Sequence, residues 1–336
     1  MKPLVELRPE GLYCPAGDYY IDPRRPVPRA VITHGHGDHA RGGSGEYHCA
    51  EPGLPILRWR LGEQQYLPRP YGEPFGLGAA RVTLFSAGHI LGSAQVRIEA
   101  LERTWVVSGD YKRDPDPTCA PFEVVPCDGF LTEATFALPV YRWAPTPEVA
   151  AEIVDWWDQC RAQERCAVLF CYSLGKAQRI LAELGALLPG ASWEDRPVFL
   201  HGAMAAGVEI YRQAGVQMLQ TELVAEQGRR GDFREALVLA PPSARGSPWM
   251  RRFGRASTAF ASGWMKVRGN RRRRGDDRGF VVSDHADWPS LLRTIRETGA
   301  QQVLATHGNT DALVRVLLEE GLQAKALQTE FGGEET

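Results

Sequence analysis

His34-Gly35-His36-Gly37-Asp38-His39 is the stretch on which the reading of this chain turns. Four candidate metal ligands fall within six residues, directly after the apolar run Ala30-Val31-Ile32. A strand that ends in a tight, glycine-relieved loop can aim His34 and His36 at one point, and Asp38 and His39 at a second point nearby. Two imidazoles suit a borderline-soft divalent cation such as zinc, and an added carboxylate suits a second one. Two such ions about 3.5–4 Å apart form the clamp used on phosphate esters. A single surface histidine usually means nothing and His-x-His arises often by chance, whereas the full six-residue pattern after a strand is far more specific.

Further candidates lie downstream. His89 stands among small residues in Ser86-Ala87-Gly88-His89-Ile90-Leu91-Gly92-Ser93, where the backbone can approach a metal. Asp110 follows the apolar strand Thr104–Ser108 and is placed to bridge two cations, which stabilises a carboxylate that would be costly to bury alone. His285 and His307 complete the set. Six of the eight histidines (His34, His36, His39, His89, His285, His307) fall in this constellation, leaving His48 and His201 outside it. Asp38 is expected to orient the attacking water while binding the second ion. His285 is the candidate general acid, with Glu133 fixing its tautomer and raising its pKa. His34, Asp110 and Glu133 are each expected just past a strand end.

The composition sets bounds. A chain of 336 residues is long for one core and suggests two domains or one with a large insertion. Hydrophobic content of 43% and charged content of 24% fit a globular protein and exclude a disordered one. The formal charge of −2 excludes a global basic field, so any nucleic-acid surface must be local. The local candidate is Arg271 and Arg272 with Arg273 and Arg274, preceded by Arg251, Arg252, Arg255, Lys266 and Arg268. Such a run equally reads as a solvated face. Seven cysteines without a Cys-x-x-Cys argue for reduced thiols and a cytoplasmic setting. The start of the chain shows no signal core, and no apolar run reaches the ~20 residues needed to span a bilayer.

The first part of the chain reads as short strands broken by Gly and Pro, including Arg81–Phe85 and Ala94–Ile98. The pattern changes near Pro145-Thr146-Pro147, where Thr146 is expected to cap a helix from Glu148 to about Gln163. A buried strand, Ala167–Tyr172, then feeds Ser173-Leu174-Gly175-Lys176 and a helix from about Ala177 to Leu188: the first half of an α/β unit. A helix N-terminus with a hydroxyl and a lysine is ready for an anion, so Ser173 and Lys176 are candidate phosphate contacts. The spacing is not that of a Walker A loop, and a plain capped helix is the competing reading. Ser262 in Ser262-Gly263-Trp264 is a similar, weaker candidate. From Gly279 the chain resembles its first part again, with strands at Gly279–Ser283 and Gln302–Ala305 and helices from Pro289 to about Thr298 and Thr310 to about Gly321.

These residues together resemble the metallo-β-lactamase superfamily and, within it, the β-CASP nucleases. His34–His39 is similar to the signature motif, and His89 and Asp110 to the next two metal motifs. Thr132-Glu133-Ala134-Thr135 looks like the β-CASP acidic motif, Ser283-Asp284-His285-Ala286-Asp287 like its histidine motif, and Thr306-His307-Gly308 like the final one. More narrowly, Gly11–Asp18, Ser108–Pro117, Pro241-Pro242-Ser243 and Arg251–Gly254 are similar to the bacterial ligase-associated DNA exonucleases, which resemble the Artemis-like nucleases.

The resemblance implies a four-layer αβ/βα metallo-β-lactamase sandwich made of residues 1–140 and 281–336, with an α/β β-CASP cap at 141–280 and the site in the cleft between them. It implies one zinc on His34, His36 and His89, another on Asp38, His39 and His307, Asp110 between them, and manganese as the alternative metal. It implies DNA as substrate, with an ATP-dependent DNA ligase and a helicase as associates. Arg271, Arg272 and their neighbours would hold the phosphate backbone, with Trp249 and Trp264 for stacking. His307 keeps an RNase J-like RNA nuclease as the alternative, since a histidine at the final motif is usual in RNA processors. A glyoxalase-type thioesterase is the third reading, disfavoured because neither a cap nor a Glu133–His285 pair is needed to cleave a thioester.

Overall fold

The computed structural model describes residues 3–228 and 231–327. The chain divides into two compact units. One runs to Arg142 and resumes at His285; the other runs from Trp143 to Asp284.

The first unit opens with β1 (Glu6–Arg8), β2 (Gly11–Cys14), β3 (Tyr19–Ile21), β4 (Arg29–Ile32), β5 (Glu46–Ala50), helix α1 (Leu54–Leu61) and β6 (Tyr66–Arg69). Those six strands form one sheet in that order, antiparallel up to β3 and parallel beyond it. Then come β7 (Pro74–Leu77), β8 (Ala80–Ser86), β9 (Ala94–Ala100), β10 (Arg103–Val107) and β11 (Gly129–Ala134).

The second unit holds α2 (Thr146–Arg161), β12 (Ala167–Phe170), α3 (Lys176–Leu187), β13 (Val198–Leu200), α4 (Gly202–Gln213), β14 (Glu222–Leu223), β15 (Leu237–Ala240), β16 (Ser257–Ala261), α5 (Arg268–Arg274) and β17 (Arg278–Phe280). The chain then returns to the first unit with α6 (Trp288–Thr298), β18 (Gln302–Gly308), α7 (Thr310–Glu319) and β19 (Gln323–Ala326). Its second sheet has the order β19-β18-β11-β10-β9-β8-β7, so the returning strands complete a sheet begun before the second unit. β11 and β18 pair in parallel, which sets Glu133 opposite Thr306.

Packing follows the two-residue period of the strands. In β10, Trp105 and Val107 enter a core shared with Leu12, Ile21 and Val31 of the first sheet. Val106, between them, faces the other way, into a core with Leu291 and Ile295 of α6 and Leu313 and Leu317 of α7. The outer side of the first sheet, through Ala30, Ile32 and Cys49, packs with Leu57 of α1. Helix α6 forms where local signals agree. The Asp287 carboxylate accepts from the Ser290 backbone N–H, Pro289 sits in the first turn, and Gly299 ends the helix at φ 71°.

In the second unit the sheet is parallel throughout, in the order β14-β13-β15-β12-β16-β17. Ala167 and Leu169 of β12 pack with α2, α3 and α4. Val168 and Phe170 pack on the other side with Phe253 and Met265, which short 3-10 turns supply. Burial on both faces explains the unbroken apolar run. Thr146 is not the cap of α2. The helix begins at Thr146 itself, Pro145 holds the cap position without a side-chain cap bond, and the Thr146 hydroxyl accepts from Arg179 Nη2. Among the described residues no helix is long and apolar enough to cross a membrane.

Candidate metal centre

Each candidate ligand leaves a strand or the loop beside one. Past β4, Thr33 is tied to Asp22: its backbone N–H donates to Oδ1 at 2.7 Å and its hydroxyl to Oδ2 at 2.6 Å. His34 follows on this anchored residue. The loop then turns tightly, with the N–H of Ala40 bonded to the carbonyl of His36 at 2.8 Å. Beyond β10, Gly109 at φ 56° lets the chain pass Thr33; a Cβ there would lie 2.7 Å from Thr33 Cβ. Any other residue would push Asp110 out of place. His89 sits between β8 and β9, its N–H and that of Ile90 donating to Ser93 Oγ at 3.0 and 3.2 Å.

Two positions differ from the expectation that ligands lie just past strands. Glu133 lies inside β11, and His307 lies inside β18. Glu133 needs strand pairing to fix it, and β18 continues because β11 runs alongside. His307 adopts φ 60°, rare for a residue with a Cβ. Such a conformation costs of order 1–3 kcal/mol and persists only where the surroundings over-determine it.

The side chains converge. His36 Nδ1 lies 3.1 Å from both His34 Nε2 and His89 Nε2. Asp110 Oδ2 lies 3.5 Å from His34 Nε2 and 3.9 Å from His89 Nε2. The same oxygen lies 3.3 Å from His39 Nε2, and Oδ1 lies 3.6 Å from His307 Nδ1. Donor atoms of His34, His36, His89 and Asp110 all fall within 4.8 Å of one another, as do those of His39, Asp110 and His307. Asp38 stands at the edge of the second group, half-buried, with Oδ2 3.8 Å from His39 Nε2. Three ring nitrogens and a carboxylate at these separations are a donor set that fits a divalent cation, and the second group fits another.

The electrostatics divide the histidines. Burial and then the charge of His39 hold His34 well below the usual histidine range, so its ring is a neutral donor. Burial acts on His39 in the same direction, but Asp110 and Asp22 outweigh it and hold its pKa well above that range. For Asp110 burial opposes ionisation, yet His39 and His307 draw its pKa well below the carboxylate range. The carboxylate is only 5% exposed, so a compensating positive charge is required there.

Beside this cluster stands a carboxylate–imidazole pair. Glu133 Oε2 lies 2.8 Å from His285 Nδ1, and Oε1 accepts the N–H of Tyr111 at 2.8 Å. Both oxygens are held, so the His285 ring is oriented with Nδ1 toward Glu133. Donor atoms of Asp110, Glu133 and His285 also fall within 4.8 Å of one another.

Sequence reasoning misses Asp22. Its Oδ2 lies 2.7 Å from His39 Nδ1, which leaves Nε2 facing Asp110. A partner on the far ring nitrogen fixes the tautomer and orientation of a ligating histidine. The only signal is Asp22-Pro23 after the strand Tyr19–Ile21, which reads as a turn.

The remaining predicted contacts lie in the second unit, and Lys176 at the start of α3 is engaged within the protein. Lys176 is 1% exposed and its ammonium donates to Asp284 Oδ2 at 2.6 Å. Arg179 donates from Nη1 to the Ser283 carbonyl at 2.7 Å. A lysine at a helix start reads as an anion receptor, but here its charge is spent on a carboxylate distant in sequence. This ion pair is also why Ser283 and Asp284 belong with the second unit. The Ser173 carbonyl accepts from Gln178, and Ser262 Oγ, fully buried, accepts the Trp264 N–H. Arg272 is exposed, as are Lys266 and Arg268; the side chain of Arg271 lies outside the described residues. Trp249 packs edge-on against Phe253 and His201, and both it and Trp264 are partly buried against the core rather than open faces.

No protein-family profile matches the chain. It is 31% identical over 323 residues to a protein from Opitutus terrae named probable DNA ligase; the match takes in 94% of this chain and 30% of that one. It is 32% identical over 149 residues to Ribonuclease TTHA0252 from Thermus thermophilus, 42% of this chain and 32% of that one. The chain thus spans about a third of the length of these relatives. Among solved structures it is similar to a protein of unknown function from Enterococcus faecalis V583, with a TM-score of 0.59 over 93% of this chain and 81% of that one. At 11% identity that likeness concerns the fold alone.

Proposed function

We propose that this chain is a metal-dependent nuclease of the β-CASP class within the metallo-β-lactamase superfamily, acting on DNA ends as an exonuclease. One observation carries the reading: a single buried carboxylate, Asp110, faces imidazoles of both donor groups and stands beside the Glu133–His285 pair. The packing of helices outside two face-to-face sheets supports the four-layer αβ/βα sandwich, and the separate α/β unit Trp143–Asp284 supports reading that segment as the β-CASP cap.

His34, His36 and His89 would hold one divalent cation and Asp38, His39 and His307 the other, with Asp110 shared; zinc suits this set and manganese is the alternative. Such ions, when bound, supply Lewis acidity that makes water a nucleophile near neutral pH and neutralises charge on the phosphate. Asp38, half-exposed at the edge of its group, accepts a hydrogen bond from the attacking water and orients it. Glu133 accepts from His285 Nδ1, and His285 hands a proton from Nε2 to the leaving alkoxide. Asp22 keeps His39 in the tautomer that presents Nε2.

DNA is favoured over RNA because the relative that matches nearly the whole chain is named a DNA ligase. A ligase, and a helicase by the resemblance in sequence, are the proposed associates in end repair. The second reading, an RNA nuclease, draws on His307 and on the shorter match to a protein named a ribonuclease. A digest of matched 5′- and 3′-labelled single-stranded DNA and RNA, with zinc or manganese and an EDTA control, separates them. Stepwise, metal-dependent loss of DNA is expected. Preferential cleavage of RNA would overturn the DNA assignment, and no cleavage of either would overturn the nuclease.

A further inference from the structure

Helix α1 ends with two basic residues, Arg58 and Arg60. Charge at a helix C-terminus is favourable and accounts for both alike. It does not account for where Arg60 reaches. A Cβ built on Gly37 would lie 2.8 Å from Arg60 Nη2 and 3.7 Å from its Cζ. The guanidinium therefore lies against the middle of the metal-ligand loop. Gly37 is exposed and its neighbours His36 and Asp38 are half-buried, whereas His34 and His39 are buried. Arg60 thus stands at the open side of the centre.

Among the described residues Arg60 donates no hydrogen bond and joins no ion pair. Five N–H donors in a planar fork are left for an external anion, and the fork matches phosphate. The residue before it on α1, Trp59, is 39% exposed, the one aromatic among the large exposed apolar residues described. Single-strand binding combines charge of this kind with exposed aromatic rings.

We infer that Arg60 binds a phosphate of the substrate strand adjacent to the scissile one. The inference rests on the nuclease reading above and specifies how a polymer, rather than a lone phosphodiester, is held. A contact of this kind strengthens substrate binding without carrying sequence information. It is a positioning contact, made by a residue outside both donor groups.

The test compares wild type, Arg60→Gln, Arg60→Ala and Arg60→Lys, each metal-loaded and checked for metal content and thermal midpoint. Two substrates are used: a short oligodeoxynucleotide and bis(p-nitrophenyl) phosphate, which has no neighbouring phosphate. Losing a charge-assisted contact raises KM for the oligonucleotide by about tenfold or more. The fall in kcat/KM is expected to be about tenfold larger on the oligonucleotide than on the diester. The salt dependence of oligonucleotide kcat/KM should become shallower by about 0.7 on a log–log plot, the release expected for one single-strand phosphate contact. Arg60→Lys should restore the salt slope and part of the KM. Equal losses on both substrates, or none on either, overturn the inference while the nuclease stands. A wild type inactive on both overturns the nuclease reading and this inference with it.

Discussion

Both units bury charge, and they do so in opposite ways. In the second unit Lys176 sits on Asp284 at 2.6 Å, and Arg179 closes the same corner through Ser283. Lys176 and the Asp284 carboxylate are buried together as a direct ion pair within the fold. In the first unit one carboxylate, Asp110, faces imidazoles of His34, His39, His89 and His307, while His36 crowds two of the same rings at 3.1 Å. Donors outnumber the charge that could satisfy them. A closed ion pair ties two distant segments together; an excess of converging donors calls for a cation from outside. Both occur beside strand ends, so burial alone does not tell them apart.

The largest effect that would sharpen the contrast is on the proton donor. His285→Ala should lower kcat on an oligonucleotide by about 10²–10⁴-fold. On bis(p-nitrophenyl) phosphate, whose leaving group needs no proton, the loss should shrink by an order of magnitude or more. Equal losses on the two substrates would remove the acid role.

Next comes the closed pair. Lys176→Met removes the ammonium that lies 2.6 Å from buried Asp284 and should cost about 3–5 kcal/mol of stability in urea denaturation. Lys176→Met with Asp284→Leu should recover most of it, because a well-packed apolar pair replaces a buried ion pair at little cost. A single variant that melts like wild type but loses oligonucleotide binding would return Lys176 to the anion site that its place at a helix start suggests.

These two regions also show what a sequence can tell. The ligands of the first unit are legible because each polar residue breaks an apolar run: His34 after Ala30-Val31-Ile32, Asp110 after Val106-Val107. The second unit's strands are legible for the same reason. Asp22 is not, because its role depends on β3 and β4 pairing in parallel, which brings Ile21 beside Val31 and so Asp22 within reach of Thr33 and His39. Lys176 misleads because its partner is far along the chain. Arg60 escapes notice because a basic residue at the end of a short helix has an ordinary explanation, and only the contact with Gly37 adds another.

Asp22→Asn sharpens the account of the first unit at smaller cost. The amide keeps the volume and a hydrogen bond to Thr33 but weakens the hold on His39 Nδ1. Metal affinity should fall about 10–100-fold with the fold intact, measured by competition with a chromogenic chelator. Unchanged affinity would show that Thr33 and the loop orient His39 unaided.

The smallest effect concerns a histidine outside the centre. His48 of β5 stacks on Phe75 with ring centroids 5.3 Å apart, and burial followed by the charge of Arg69 lowers its pKa to about 4. The folded protein therefore keeps His48 neutral below about 6.5, where the unfolded chain takes up a proton. Its contribution is complete above about pH 6.5 and is lost progressively as pH falls toward about 4. His48→Gln should flatten that part of the stability–pH curve; an unaltered slope would place the titration elsewhere.

The central claim is that Asp110 is shared by two bound cations that the chemistry requires. The most direct measurement is the metal content and oligonucleotide turnover of wild type and Asp110→Asn, purified side by side and checked by circular dichroism. Two divalent ions per wild-type chain are expected, and loss of at least one, with turnover down by about 10³-fold or more, in a variant that remains folded. A folded Asp110→Asn protein with wild-type metal content and wild-type turnover would contradict it.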